Sequence, residues 1–345
     1  MRLRSLVLLV SFILFLAVVA LALYWRASAA RLSEFIASWT AYQQAQGYEI
    51  SYQGPEIGGF PFALTARFRD PGMVSPQGWH WRGPEISGRA ALWDPLTIEL
   101  ELSGRHLVAP RGAETPTEAT LVQASARVHL HKDGQVERAT AESAAIEVRS
   151  GQVALTAAKS AWQLGPLRPA QGETPQELLF AGELDDLVLP EDRAGPLGPQ
   201  LRRLAVEALL VGRIPDQVPG QALAAGQRHF LEQWRDGGGL LKLERVELSW
   251  GPLALEGDGA LSLDRQLRPL GAFTATTKGL METLDVLTAK GVLEPGKALP
   301  AKVGLLALGA RKDEAGNPVI VLPITLQDGL LYLGPKPLLQ LFPLL

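Results

Sequence analysis

The sequence predicts a mainly β protein: an N-terminal transmembrane helix, then a large curved antiparallel β-sheet or two packed sheets, with a few short α-helices. Three observations predict it. Residues 6–25 form an apolar run without a charge. From Tyr48 onward apolar residues recur at every second position, the period of a half-buried strand. Glycine and proline, 35 and 25 of 345 residues, punctuate these runs at turn dipeptides.

The apolar run LVLLVSFILFLAVVALALYW follows Met1-Arg-Leu-Arg4. At about 1.5 Å rise per residue it covers roughly 30 Å, the thickness of a hydrocarbon core. Tyr24 and Trp25 close it, where amphipathic rings favour the headgroup level. Arg2 and Arg4 lie on the near side; Arg26 and Arg31, offset by Glu34, lie on the far side. Residues 1–5 are therefore expected as a cytoplasmic tail, 6–25 as a single membrane anchor, and the remainder as exported. Ala20-Leu-Ala22 and Ala27-Ser-Ala29 also resemble signal-peptide cleavage sites, but the run is longer than a usual signal core. Residues 26–47 are expected as an amphipathic helix: Leu32, Phe35, Ile36, Trp39 and Tyr42 fall near one helical face, and Gly47 stops it.

Residues 48–345 are expected as one exported β-rich domain. Phe62, Leu64, Ala66 and Phe68 alternate with Ala63, Thr65, Arg67 and Arg69. Ile98, Leu100 and Leu102 do the same, as do Val122, Ala124, Ala126, Val128 and Leu130, and later Leu253, Leu255, Gly257, Gly259, Leu261 and Leu263. One polar face with one apolar face indicates antiparallel strands. Leu241 and Leu243 are out of phase with Val246, Leu248 and Trp250, which predicts a bulge near Glu244-Arg245. Asp133-Gly134, between HLHK and QVERA, reads as a tight hairpin. About 14 strands are expected, too many for one flat sheet, so curvature or splitting is expected. Helices are expected over 218–234 and 280–290. The linker-like stretch 190–200, PEDRAGPLGPQ, is where a division into two halves would fall.

Composition excludes several classes. With 47% hydrophobic and 20% charged residues the chain is not disordered; without cysteine it is no disulfide scaffold; a net charge of −3 gives no bulk attraction to nucleic acid. No catalytic, cofactor-binding or metal-binding residue is assigned. His129 and His131 are placed on one strand face, but no third ligand is spaced to join them. Glu183, Asp185 and Asp186 form an acidic cluster without the spaced oxygens of a calcium loop. Gly257-Asp-Gly259 lacks the third glycine and following helix of a dinucleotide fingerprint. Asp94, Asp258 and Asp264 sit beside turns, where carboxylates bond backbone amides more often than they catalyse. Trp79, Trp81, Trp93, Trp162, Trp234 and Trp250 suit either sheet packing or the lining of a lipid or sugar site.

An ordered set of short motifs resembles a known family. These are Gly54-Pro-Glu-Ile-Gly-Gly-Phe-Pro-Phe62, Ala91-Leu-Trp-Asp-Pro95 with Leu102-Ser-Gly104, Trp250-Gly-Pro-Leu, Gly257-Asp-Gly-Ala-Leu-Ser-Leu-Asp264, Leu267-Arg-Pro269, and Leu322-Pro-Ile-Thr-Leu-Gln-Asp-Gly329 with Leu333-Gly-Pro335. Together they are similar to domain-of-unknown-function family 2125 over nearly the whole exported region, with 105–245 matching only by strand character. The resemblance implies an uncharacterised membrane-anchored envelope protein of Gram-negative bacteria, held in the inner membrane with the bulk of the chain periplasmic. The layout is also similar to that of AsmA-like envelope proteins, which implies a curved sheet with an apolar groove for lipid, by fold analogy alone.

Two functional expectations follow, both non-enzymatic. In the first, the apolar sheet face binds or shields lipid acyl chains, with small residues such as Ala124, Ala126, Gly257 and Gly259 leaving room for them. In the second, the chain is a structural or interaction module that binds another envelope protein. The expected partners are thus the inner membrane, lipid or another envelope protein, and no nucleic acid. No cofactor is expected.

Overall fold

A computed structural model describes the chain except for residues 1, 111–112, 114, 169–175, 213–222, 308–309, 313–317 and 345. It is mainly β, with one long N-terminal helix. The chain forms two compact units, Met1–Val136 and Glu137–Leu345.

The first unit opens with helix α1 (Arg2–Ala45), 44 residues long. The expected anchor and the expected outer helix are one uninterrupted element, because neither glycine nor proline occurs within it. At about 1.5 Å per residue the helix runs some 66 Å, longer than a hydrocarbon core is thick. It is long and apolar enough to cross a membrane. It ends at Gly47, whose φ of 88° is the left-handed turn that lets the Tyr48 amide reach back to the Gln43 carbonyl, 3.1 Å.

Eight strands follow: β1 (Glu49–Gly58), β2 (Ala63–Val74), β3 (His80–Arg82), β4 (Ile86–Ala91), β5 (Asp94–Glu101), β6 (Gly104–Ala109), β7 (Thr117–Val122) and β8 (Ser125–Leu130). Strand β2 is the hub. It pairs with β1 on one side and, on the other, with β4 near its start and β3 near its end. From there β4–β5–β8 and β3–β6–β7 continue outward, all antiparallel. Register places Leu64, Ala66 and Phe68 on one face with Ile57, Ile86, Gly88, Ile98, Leu100, Ala126 and Val128. The opposite face carries ion pairs Arg69–Glu56 (2.7 Å) and Arg127–Glu99 (3.1 Å). Three details differ from the expected alternation. Phe62 lies in the turn before β2, and Leu102 falls beyond β5. The run 122–130 is broken at Gln123, φ 48°, where the Ser103 hydroxyl accepts the Ala124 amide at 2.8 Å.

The second unit holds β9 (Val136–Ser143, which starts at the boundary), β10 (Ala145–Ser150), β11 (Val153–Ala157), β12 (Lys159–Arg168), β13 (Glu177–Val188), β14 (Gln200–Val211), β15 (Leu240–Trp250), β16 (Leu253–Leu263), β17 (Pro269–Lys278), β18 (Ala310–Lys312), β19 (Pro318–Gln327), β20 (Leu330–Leu333) and β21 (Lys336–Gln340). Its helices are α2 (Leu223–Asp236), α3 (Leu280–Ala289) and α4 (Pro295–Ala307). The main order is β9–β12–β13–β14–β15–β16–β17–β19–β20–β21, antiparallel throughout. The bulge expected near Glu244-Arg245 is present: register shifts between Leu243 and Val246 against β16, and opposite Glu207–Ala208 of β14.

The stretch 190–200 does not divide the structure. Strands β13 and β14 on either side of it pair over their full lengths. Trp250 clasps the connection, its Nε1 donating to the Gly198 carbonyl at 2.8 Å. The expected helix 280–290 is α3; that over 218–234 is described from Leu223, its earlier residues lying outside the described ones. Helix α4 was not expected. Pro295, Gly296, Pro300 and Gly304 give it the composition of a loop, and Pro300 sits inside it.

One face of this sheet is apolar. It carries Trp162 and Leu164 of β12, Phe180 and Leu184 of β13, Leu204 and Val206 of β14, Val246 and Leu248 of β15, and onward to Phe273 and Ala275 of β17 and Ile320 and Leu322 of β19. Helix α2 covers part of it, packing Trp234 and Leu231 on Leu210, Leu241, Leu263 and Leu267. Helices α3 and α4 cover another part, with Leu280, Met281 and Leu305 against Leu255, Phe273, Ala275, Ile320 and Leu322.

Candidate apolar ligand site

The C-terminal half of α1 lies against β1 and β2. Between them is a cavity of about 240 Å³ lined chiefly by Phe35, Ile36, Trp39, Ile50, Tyr52, Phe68, Met73, Trp81 and Ile86. Helical spacing brings Phe35, Ile36 and Trp39 to one side, as the sequence predicts. Strand pairing brings the rest, with Ile50 opposite Met73 and Phe68 opposite Ile86. Rings brace the walls: Tyr52 meets Phe68 edge-on at 5.2 Å, and Trp81 stacks on His106 at 6.2 Å.

Among the described residues no charged side chain lines this cavity. Its hydroxyls are already engaged: Thr40 Oγ1 and the Tyr52 hydroxyl share a hydrogen bond of 3.1 Å, and Ser51 Oγ points to the Gly72 carbonyl at 3.5 Å. Phe35, Trp39 and Met73 remain exposed around it. Such a pocket offers dispersion contacts and little else, so it suits hydrocarbon over any charged or hydrogen-bonding ligand. Ile36 lies about 16 Å beyond Trp25 along the helix axis.

The second unit has an uncovered strip on its apolar face. Trp162, Leu164 and Phe180 are 40%, 44% and 41% exposed. Trp162 and Phe180 lie 6.2 Å apart, and the Trp162 ring spreads over Gly182, where a Cβ would come within 2.6 Å of it. Gly257 and Gly259 do not leave room for a ligand as expected. The ring of Phe273 fills that space, 2.6 Å from a Cβ at Gly257 and 3.0 Å from one at Gly259. Ala124 is buried beside the break at Gln123, and Ala126 stays on the apolar face of the first unit.

The polar residues singled out in the sequence are engaged with one another. His129 Nδ1 lies 3.0 Å from Thr97 Oγ1, whereas His131 falls in the turn beyond β8, 3.0 Å from Asp133, so the two do not converge. In that turn the Asp133 carboxylate accepts the Gln135 amide, which holds its pKa below the ordinary value. Among the described residues no group of three or more His, Asp or Glu side chains is placed to hold a metal. Asp264 accepts the amides of Gln266 and Arg268 and the Arg268 guanidinium at 2.8, 2.9 and 2.7 Å. Burial pushes its carboxyl up, but those bonds outweigh it and hold the pKa below the usual carboxylate value. Asp258 lies within β16 opposite Thr274 rather than beside a turn. Asp94 begins β5.

Glu183 and Asp185 share a face with Arg203, which bonds them at 2.8 and 3.0 Å and Glu247 at 2.7 Å. Asp186 turns away with φ 50° and accepts from Gln200. The arrangement is a neutralised strand ladder. Arg203 holds the Glu247 pKa below its ordinary 4.5 against the opposing effect of burial. A depressed carboxylate contributes stability above its unfolded pKa and loses it as pH falls through the folded one. Arg203→Ala is therefore expected to lower stability near neutral pH by about 1 kcal/mol, discounted for partial exposure. It should also flatten the loss of stability between about pH 5 and pH 3. Urea midpoints of the full chain across that range measure both effects, and a variant with the parent's acid limb contradicts the assignment.

The tryptophans divide between packing and exposure. Trp234 and Trp250 are anchored by indole hydrogen bonds, to Val211 at 3.1 Å and to Gly198 at 2.8 Å. Trp81 lines the α1 cavity, while Trp79, Trp93 and Trp162 are exposed. The apolar stripe of α1 is readable in the sequence; that it walls a cavity, and its partners on β1, β2, β3 and β4, are not, because they depend on pairing between distant segments.

These features define a β-rich protein with an N-terminal helix able to cross a membrane and an apolar cavity beside that helix. The profile of a family described as "Uncharacterized protein conserved in bacteria (DUF2125)" matches residues 25–341, and the chain belongs to that family. No curated protein and no solved structure matches it.

Proposed function

We propose that this chain is a non-enzymatic protein of the bacterial cell envelope, anchored in the inner membrane by α1 with its β-rich bulk on the periplasmic side, and that it binds or shields lipid acyl chains. The observation that carries this reading is the cavity of about 240 Å³, without a charged lining residue among the described ones, one wall of which is the continuation of the apolar helix itself. A chain leaving the bilayer beside α1 would meet Phe35, Ile36 and Trp39 without crossing a charged surface on the cavity wall. The strip of Trp162, Leu164 and Phe180 provides further apolar surface of the same chemistry.

A photo-crosslinking amino acid at Met73, on the rim of the cavity, tests this in intact cells. The expected result is a lipid adduct on the full-length protein, identified by mass spectrometry. The same group at Arg127, on the charged face, is expected to give none. Protein adducts alone at Met73 would instead support a structural or interaction role in envelope assembly. A carboxyl-terminal reporter that is active only inside the cell would overturn the periplasmic placement.

A further inference from the structure

The last residue of the apolar run, Trp25, is tied to the β-structure of its own unit. Its Nε1 donates to the Ala63 carbonyl at 2.7 Å, and its ring meets Phe60 edge-on at 5.7 Å. Residues 59–62 form the turn between β1 and β2, and residues 92–93 the turn between β4 and β5. Both turns lie at the same end of the sheet, because Ala63 pairs with Ala91 and the Leu92 amide donates to the Phe62 carbonyl at 3.0 Å. That end is capped by Phe60, Phe62 and Trp93, which are 52%, 59% and 75% exposed. Phe62 and Trp93 lean on each other at 6.4 Å.

Large exposed rings gathered at one point mark a contact surface. Their position states which one. Trp25 sits where about 20 apolar residues finish, at the depth where headgroups begin, and Phe60 touches it directly. We propose that Phe60, Phe62 and Trp93 insert into the headgroup and upper acyl region of the leaflet from which α1 emerges, so that the first unit rests on the bilayer at these two turns. The inference rests on α1 being a membrane span and goes beyond it: the span supplies the tether, and the turns supply a second contact with the same lipid. Aromatic rings suit that layer because an apolar body and, for Trp93, an N–H donor are both accommodated there.

The chain has no cysteine, so single-cysteine variants can each carry one nitroxide. Full-length Phe62→Cys, Trp93→Cys, Trp79→Cys and Leu14→Cys proteins are reconstituted into vesicles of mixed phosphatidylethanolamine and phosphatidylglycerol. Collisional accessibility to oxygen and to a water-soluble nickel chelate is then compared. Trp79 is the control, since it is exposed and lies past the far end of β2. The expected result is a raised oxygen-to-nickel ratio at positions 62 and 93, a still higher one at 14, and an aqueous ratio at 79. Aqueous ratios at 62 and 93 with a membrane ratio at 14 would overturn the proposal and leave the span intact. Low accessibility to both reagents at 62 and 93 would also overturn it, by showing a protein contact. An aqueous ratio at 14 would refute the span, and the proposal with it.

Discussion

Replacing Trp234 by alanine is expected to destabilise the second unit by about 3–5 kcal/mol, the range for removing a buried aromatic side chain. Trp234 is the largest side chain in a cluster with Leu263 and Leu267, and Leu267 has no exposed surface. The indole also lies against Gly239, where any side chain would collide with it. Loss of its N–H would leave the Val211 carbonyl without that donor. The turn at 264–268 presents Leu267 to this ring through a φ of 60°, held by the hydrogen bonds of Asp264. The variant should therefore lose packing on both α2 and the β16–β17 turn. Urea unfolding of the full chain, followed by near-ultraviolet circular dichroism, measures it. Trp79→Ala, at an exposed position, should stay within about 0.5 kcal/mol of the parent. A Trp234→Ala midpoint equal to that of Trp79→Ala contradicts the role of this cluster.

The paired substitution Leu14→Arg and Val18→Arg is expected to abolish stable membrane association. Each arginine near the middle of a span raises the insertion free energy by about 3 kcal/mol. The two positions fall one helical turn apart, so both charges face one side and cannot escape by rotation of the helix. Neither residue packs on the β-structure; both are exposed. The expected outcome is loss of the protein from carbonate-washed membranes while its β-sheet signal is retained. Retention in the membrane pellet at the parent's level would show that α1 is not the anchor.

The fold class was legible because two simple periods dominate the sequence. An uncharged stretch and the apolar stripe after it, uninterrupted by glycine or proline until Gly47, marked α1, and alternation marked the β-structure, including the slip at Glu244-Arg245, where the ladder shifts register. Failures occurred where local chemistry contradicts the tertiary outcome. Helix α4 contains two prolines and two glycines. The 190–200 stretch has linker composition but is held by the Trp250 indole, a contact from a residue distant in sequence. The candidate site was half legible. The stripe Phe35, Ile36 and Trp39 was visible, whereas the facing wall depends on strand β2 dividing its pairing between β3 and β4. Nothing in a linear sequence marks such a fork. Gly257 and Gly259 look like vacancies in the sequence because their occupant, Phe273, comes from the next strand.

Because α1 passes from the apolar run to the cavity wall without a break, it forms a stiff rod held by the strands from Trp25 onward. A helix whose hydrophobic length mismatches the surrounding bilayer responds by tilting. In a jointed tether a flexible hinge would absorb that tilt. If α1 spans a bilayer as proposed, an uninterrupted rod would pass that tilt on to the strands packed against its C-terminal half, and bilayer thickness would bear on the inclination of the first unit.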